Sequence, residues 1–245
     1  MEYKYAKEQT DYSDYASGRV FYSVPGHPAF PVRLASEIFQ RCVAHRQAIY
    51  QIASPCMLYD PCCGAAYHLS VLAYIHGQLI REIVASDVDE KVVELAEKNL
   101  SLLSTMGLEN RIVEIKSMLE QYGKDSHQDA LKSATVLKTK LPGDLLTTKT
   151  FQANVLDRAD LLQKVSPHSV DIVFTDVPYG QHSSWHDSSE RDPLWSMLDS
   201  LLAVLSPSSI VAVVSDKGQK AMHEGYERIE RFQVGKRRIT ILKPV

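Results

Sequence analysis

The sequence predicts an α/β fold in which a mostly parallel, seven-stranded sheet carries helices on both faces. Short apolar runs alternate with amphipathic helical segments along most of the 245 residues, and this alternation is typical of parallel sheets covered on both sides. The composition is 44% hydrophobic and 23% charged, which excludes the disordered and fibrous classes. A chain of this length suits one domain, so residues 1–245 are predicted to form a single unit.

The elements follow in chain order. Residues 1–30 are polar and rich in Tyr, Ser, Gly and Pro, and they predict an extended N-terminal arm. A charged stretch at about 107–147 interrupts the alternation and predicts an inserted pair of helices. Helices are predicted at residues 31–47, 65–75, 88–103 and 194–205. Strands are predicted at residues 56–60, 82–86, 149–155, 170–175 and 210–215, with one or two more at 231–242 that turn at Gly235.

Charge and cysteine usage limit the function classes. The net charge is −3, from 27 basic and 30 acidic residues, which argues against binding nucleic acid through bulk charge but allows a local basic patch. The four cysteines include no C-x-x-C pair, so neither a disulfide framework nor a zinc site is expected. The polar N-terminus lacks a secretory signal and no apolar run is long enough for a membrane span. A cytoplasmic monomer is expected.

The turn after the first predicted strand reads Asp60-Pro-Cys-Cys-Gly-Ala-Ala. Its single glycine does not fit the G-x-G-x-x-G fingerprint of dinucleotide-binding folds. An acidic residue that closes a strand before a tight glycine turn is instead typical of S-adenosylmethionine (SAM) sites. Gly64 allows close approach of a ligand to the backbone, Cys62 lies in the same turn, and Asp60 either orders the turn or meets the ammonium group of the ligand. An ordinary strand-to-helix turn is the alternative.

Two further polar residues lie at or just after the ends of predicted strands. Asp87 comes 23 residues after Gly64, close to the spacing of about 20 at which an acidic residue binds ribose hydroxyls in nucleotide-binding folds. The alternative is helix capping, and we expect Asp87 to be the ligand and Asp89 to be the cap. Asn154 lies at the end of the third strand, where its side-chain carbonyl either accepts a hydrogen bond from an adenine amino group or serves a turn.

The fourth strand ends in Thr-Asp176-Val-Pro-Tyr-Gly. This segment matches the [Asp/Asn]-x-Pro-aromatic loop of methyltransferases that modify nitrogen in planar groups. Asp176 and the backbone carbonyl of Val177 present hydrogen-bond acceptors, Pro178 holds the loop, and Tyr179 is placed to stack on a base. We expect Asp176, Pro178 and Tyr179 to be catalytic. The N1–H and 2-amino donors of guanine suit these acceptors, although adenine also offers an amino donor.

The RNA contacts are predicted less directly. Arg33, beside Phe30 near the first helix, is expected to touch either the SAM carboxylate or the target. Trp185, in the loop after the fourth strand, is expected to grip an unstacked base. Arg237 and Arg238 form a short basic cluster with Lys236 near the final turn. His182 and His186 are four residues apart but have no obvious third ligand, so no metal is expected.

These motifs resemble the AviRa-type family of ribosomal RNA methyltransferases, known for avilamycin resistance. The strongest similarity lies in the arm, at residues 14–18 (DYASG) and 25–41 (PGHPAFPVRLASEIFQR). The glycine turn after the first strand, the Asp176 loop and Trp185 are also similar to the family. The resemblance runs from about residue 10 to 240 and is weaker in the inserted helices.

The resemblance implies a Rossmann-like class I fold and methyl transfer from SAM to guanine in large-subunit rRNA, with N1 favoured over N2. Two positions depart from the family pattern. Ala66 replaces a second glycine, where its methyl group is expected to crowd the methionine moiety, and Asn154 replaces an aspartate. The alternatives are an amino-methyltransferase acting on DNA or protein glutamine, and a catalytically silent relative that binds SAM or RNA.

Overall fold

Seven strands form one sheet in the order β3-β2-β1-β4-β5-β7-β6. The structure is a computed structural model that describes residues 3–23, 29–143, 145–178, 185 and 192–245. The strands β1–β7 are Cys56–Asp60, Ile80–Asp87, Thr147–Gln152, Val170–Asp176, Leu205–Asp216, Tyr226–Val234 and Arg237–Pro244. The first five pair in parallel, whereas β7 runs antiparallel to both β5 and β6. The predicted α/β class and the turn at Gly235 are confirmed.

The helices in the described residues cover both faces of the sheet. They are α1–α7, at Val32–Tyr50, Tyr67–His76, Glu90–Ser101, Thr105–Tyr122, Asp125–Lys138, Arg158–Lys164 and Pro193–Leu201. The sequence prediction missed α6, a helix of 7 residues that is too short to show a clear apolar period. Helices α4 and α5 are the predicted pair between α3 and β3. None of the helices in the described part of the chain combines the length and apolar character needed to cross a membrane.

Strand residues alternate between two apolar clusters, one on each face. Leu58 and Phe174 join the cluster beneath α1, α2 and α3, whereas Tyr59 and Val173 join the cluster beneath α6 and α7. Because both sides of the central strands are buried, these strands read as continuous apolar runs rather than as alternating ones. The polar side chains of the central strands therefore lie mainly at the strand ends.

The N-terminal arm packs against the body of the molecule. Residues 13–15 form a 3₁₀ turn, and Phe21 is fully buried against Tyr67 and Tyr74. The amide of Asn99 on α3 donates to the carbonyl of Tyr22 at 3.0 Å and to the carbonyl of Ala65 at 2.8 Å. One side chain thus joins the arm to the turn that follows β1.

Candidate cofactor and substrate site

A cleft opens at the carboxyl ends of the parallel strands. Strand order reverses between β1 and β4, which lie side by side although β2 and β3 come between them in the chain. In open α/β sheets ligands bind outside the carboxyl ends of the strands at such a reversal. The cleft is lined by Pro61, Cys62, Asp87, Val88, Ala153, Asn154, Val155, Leu156, Pro178 and Trp185. The structure thus brings together predicted residues from four separate segments.

The turn after β1 is tied to the end of β2. The amide of Cys63 donates to the carbonyl of Ser86 at 2.9 Å, and the amide of Gly64 donates to Oδ2 of Asp87 at 3.0 Å. Gly64 has φ +52°, and a Cβ built on it would meet nothing within 4 Å. The backbone at Gly64 therefore borders open space, as close approach of a ligand requires.

The buried side chain of Asp60 stabilises this turn by accepting a hydrogen bond from its backbone. It is fully buried, and its Oδ1 accepts from the amide of Cys62 at 3.0 Å. Its Oδ2 lies 3.2 Å from Nε2 of His68. Burial raises the pKa of Asp60 to about 8, and the nearby charges of Asp87 and Asp176 add to the rise. Of its two predicted roles, the contacts support ordering of the turn.

His68 is the buried neighbour of Asp60 and packs between two aromatic rings. Its ring centroid is 5.6 Å from that of Phe30 and 4.9 Å from that of Phe174. Burial lowers the pKa of His68 to about 4, so the imidazole is neutral at physiological pH. Asp60 therefore has a neutral partner, and the pair does not form a charged ion pair at neutral pH.

Ala66 is the residue whose methyl group was predicted to crowd the methionine moiety of SAM. It has φ 51° and precedes the first residue of α2. The residue is fully buried, within the apolar cluster beneath α1 and α2. Its methyl group packs in the core, and Ala66 is not among the residues that line the cleft. This placement does not support the predicted crowding of a bound methionine moiety.

Asp89 caps the following helix as predicted, and Asp87 lines the cleft. Oδ1 of Asp87 accepts from the amide of Asp89 at 3.2 Å, and its Oδ2 accepts from Gly64. Burial raises the pKa of Asp87, while these backbone donors oppose the rise. Asp89 caps α3, because its Oδ1 accepts from the amide of Lys91 at 2.9 Å. The carboxylate of Asp87 is thus held in a defined orientation at the cleft wall.

Asn154 is both a turn residue and part of the cleft. The side-chain Oδ1 of Asn154 accepts from the backbone amide of Leu156 at 3.0 Å. The backbone amide of Asn154 donates to Oδ2 of Asp160 at 2.9 Å. The side-chain carbonyl, predicted to meet an adenine amino group, is therefore engaged within the turn. Since a carbonyl oxygen can accept two hydrogen bonds, this contact supports the turn role and leaves the contact with adenine as a prediction.

The loop after β4 begins at Asp176, whose backbone pairs with Val214 of β5. The amide of Val177 donates to the carbonyl of Val214 at 3.0 Å, and the Val177 side chain is buried. Pro178 lines the cleft, as does Trp185. Trp185 also packs against the cluster beneath α6 and α7. Tyr179 lies outside the described residues, as do His182 and His186.

Arg33 is engaged by the N-terminal arm. Its Nε donates to the carbonyl of Ala6 at 2.9 Å and its Nη2 to the carbonyl of Lys7 at 2.8 Å. The guanidinium also lies 4.2 Å from the centre of the Tyr3 ring. One turn further along α1, the buried Glu37 accepts from the amides of three arm residues, 4–6. These contacts assign Arg33 to holding the arm and do not support its predicted contact with SAM or RNA.

A basic rim lies at the carboxyl end of β5 and at the β6–β7 turn. We define it as Lys217, Lys220, Lys236, Arg237 and Arg238. The three lysines are exposed. Arg237 pairs with Asp216, the last residue of β5, which places the rim at the carboxyl edge. The Arg237 guanidinium lies 5.3 Å from the centre of the Phe30 ring.

The comparisons with known proteins agree with this geometry. The family model described as rRNA methyltransferase AviRa matches residues 1–237. The chain is also 38% identical over 243 residues to the 23S rRNA (guanine(2535)-N(1))-methyltransferase of Streptomyces viridochromogenes, covering 98% of this chain and 95% of that protein. This chain belongs to the AviRa family of rRNA methyltransferases. The predicted resemblance is confirmed.

Two solved structures of the AviRa rRNA methyltransferase from Streptomyces viridochromogenes share the fold. One superposes with a TM-score of 0.86 at 38% identity and covers 98% of this chain and 96% of its own. The other has a TM-score of 0.87 at 37% identity, with 99% and 96% covered. The AviRa fold thus extends over the arm and the inserted helices as well as over the sheet.

Sequence reasoning missed two residues that support the site. Asn99 holds the carbonyl of Ala65, and Gln219 donates to the carbonyl of Pro178. Both act across long separations in the chain, and neither stands in a motif. Among the described residues, no group of three or more His, Cys, Asp or Glu side chains is placed to hold a metal ion.

Proposed function

We propose that this chain transfers a methyl group from SAM to N1 of a guanine in 23S rRNA. One observation carries the proposal. The acceptor loop of Asp176, Val177 and Pro178 reaches, through Pro178, the cleft that Asp87 and Asn154 line beside the Gly64 turn, in a chain that belongs to the AviRa family. The activity named for the 38% identical relative is methyl transfer to guanine N1.

The described residues fit SAM. The backbone at Gly64 borders open space, where the methionine moiety would lie, and the oriented carboxylate of Asp87 suits the two ribose hydroxyls. Val88 and Trp185 supply apolar walls for adenine, with Asn154 and Cys62 at the same cleft. Asp60 acts indirectly, by shaping the turn. When bound, SAM supplies a methyl group activated by its sulfonium charge.

The residues after β4 would hold the base. The target must leave its stack to enter the site. The Val177 carbonyl and the Asp176 carboxylate accept from the 2-amino group and N1–H of guanine, which are both donors. Asp176 takes the N1 proton, directly or through water, and frees the nitrogen lone pair for the methyl group. Pro178 restricts the loop, and Tyr179 stacks on the base.

The basic rim offers the phosphate contacts that a near-neutral protein needs. Phosphates account for half or more of the hydrogen bonds in protein–DNA complexes and set the register on the nucleic acid. Arg237 is favourably placed, because its guanidinium stacks over Phe30 at the carboxyl edge. Arg238 contributes charge here, although one of its nitrogens donates to the carbonyl of Gln219. Arg33 is left out of this surface.

The first experiment supplies methyl-labelled SAM and large-subunit rRNA, or 50S subunits, from a strain that lacks the gene. We expect label in 23S rRNA and 1-methylguanosine on nucleoside analysis. Label in N2-methylguanosine would change the assigned atom. SAM binding without label in rRNA would refute the substrate and favour DNA or protein glutamine. Absence of both binding and label would identify a silent relative.

The role of Asp176 is tested by Asp176→Asn. We expect turnover to fall by at least about 100-fold, because the amide cannot take the N1 proton, while the Kd for SAM stays within about threefold. Asp192→Asn is the matched control. Asp192 caps α7, and asparagine caps equally well. Unchanged turnover in Asp176→Asn would remove Asp176 from the mechanism.

A further inference from the structure

Gln219 stands in the loop after β5 and is held at four points. Its Nε2 donates to the carbonyl of Pro178 at 3.1 Å, and its Oε1 accepts from the amide of Asp216 at 3.2 Å. Its backbone amide donates to the carbonyl of Asp216 at 3.2 Å. Nη1 of Arg238 donates to its backbone carbonyl at 2.8 Å. The side chain thus bridges its own loop and the loop after β4.

The two side-chain contacts leave one orientation for the amide. The Asp216 N–H requires an acceptor, and the Pro178 carbonyl requires a donor. Only a glutamine with Oε1 toward Asp216 and Nε2 toward Pro178 satisfies both. A glutamate at this position would keep the first hydrogen bond and lose the second. The chemistry of the bridge is therefore specific to the amide.

Together with a backbone hydrogen bond of Val177, the Gln219 bridge fixes the peptides on both sides of the Val177 carbonyl. The peptide before Val177 is held because its N–H donates to the Val214 carbonyl at 3.0 Å. The peptide after Pro178 is held because its carbonyl accepts from Gln219. The peptide between these two carries the Val177 carbonyl, and the proline ring restricts φ at Pro178. With both flanking peptides tied, the direction of the Val177 carbonyl is determined.

We propose that Gln219 is a positioning residue for methyl transfer, which aims the Val177 carbonyl at the target base through its hydrogen bond to Pro178. This inference rests on the proposed function, in which that carbonyl accepts from guanine. Arg238 on β7 supports this role, because its guanidinium donates a hydrogen bond to the backbone carbonyl of Gln219. The rim that would meet rRNA is thereby joined to the loop that would meet the base.

Gln219→Glu tests the donated hydrogen bond alone. It keeps an acceptor for Asp216 and sets a carboxylate oxygen against the Pro178 carbonyl. Small errors in placement at a reacting centre are costly, up to about 100-fold in rate per ångström. We therefore expect kcat in the labelling assay to fall about 10- to 100-fold, with the Kd for SAM within about twofold of the wild-type value. Gln219→Ala is expected to lower kcat to a similar extent.

The matched control is Gln51→Glu, because the side-chain amide of Gln51 donates to the carbonyl of Ala48 at the exposed end of α1, away from the basic rim. It is expected to leave kcat and SAM affinity unchanged. A purely structural role of Gln219 would lower the melting temperature and SAM affinity together with kcat, and that result would overturn the inference. So would wild-type kcat in both Gln219 variants.

The wild type in the same assay separates the two proposals. A wild-type protein that methylates rRNA, combined with unaffected Gln219 variants, would overturn the positioning role alone. A wild-type protein that binds SAM but leaves guanine unmethylated would overturn the proposed function, and the role of Gln219 with it.

Discussion

Replacing Asp87 by alanine is expected to weaken SAM binding far more than replacing Asp89, which lies two residues further along the chain. Both oxygens of Asp87 are oriented by backbone donors, the amides of Gly64 and Asp89. Each carboxylate oxygen has a further lone pair, and Asp87 lines the cleft. The ribose diol would fill those two positions with charge-assisted hydrogen bonds.

The magnitude follows from those two hydrogen bonds. Hydrogen bonds to a charged group contribute about 1.5–3 kcal/mol each, so their joint loss, partly offset by water in the vacated space, leaves about 3 kcal/mol. That energy corresponds to a rise in Kd on the order of 100-fold. Asp89→Ala removes the α3 cap, which costs about 1 kcal/mol of stability, but removes no contact in the cleft.

Isothermal titration calorimetry of both variants with SAM at pH 7 measures the difference. Circular dichroism melting curves establish that each variant is folded. We expect Asp87→Ala to lose about 100-fold in affinity and Asp89→Ala to bind within about twofold of the wild type. The ribose assignment would be refuted if a folded Asp87→Ala variant bound SAM within about threefold of the wild type, or if both variants lost affinity equally.

Two further predictions concern the turn after β1. Ala66→Gly is expected to change the free energy of unfolding by less than about 1 kcal/mol, because relief of the left-handed conformation offsets the loss of a buried methyl group. Its Kd for SAM should stay within about twofold, and a tenfold tighter Kd would show that the methyl group does crowd the ligand. Asp60→Asn tests the raised pKa. Below the ordinary carboxyl pKa of about 4, Asp60 is protonated in both states. As the pH rises toward about 8, only the unfolded state releases this proton freely, so the wild type should lose stability relative to Asp60→Asn. Urea denaturation of both proteins from pH 5 to 8 measures that difference, and a pH-independent difference would contradict the assignment.

The N-terminal arm shows how far a sequence match can be interpreted. The resemblance to the AviRa family was predicted chiefly from residues 14–18 and 25–41, and the structure shows what Arg33 and Glu37 in this segment contact. Glu37 accepts from three backbone amides of the arm, and Arg33 donates to two of its carbonyls. The charged residues at the start of α1 therefore hold the arm, although the sequence suggested that Arg33 faces a ligand. A side chain that can pair with phosphate can equally pair with a backbone carbonyl.

The predictions for the site agree best with the structure where neighbouring elements of the fold set the geometry. Asp87 and Asn154 reach one cleft because parallel strands bring their carboxyl ends to the same edge. Asp89 caps α3 because it immediately precedes the helix. The cap depends on a short stretch of chain, and the shared edge depends on the parallel pairing of β2 and β3. Asn154 was predicted either to accept from adenine or to serve a turn, and the hydrogen bond from the amide of Leu156 supports the turn.

The fold class, the family and the four segments that line the cleft could all be predicted from the order of the amino acids. Strand alternation and motif residues are properties of neighbours in the chain, and they persist in any structure the chain adopts. Which groups meet across long separations becomes visible only in the folded chain. Gln219 contacts Pro178 over 41 residues, and Arg33 contacts Ala6 over 27. Such partners are selected by packing and by the need to satisfy buried backbone groups, and neither leaves a local pattern in the sequence.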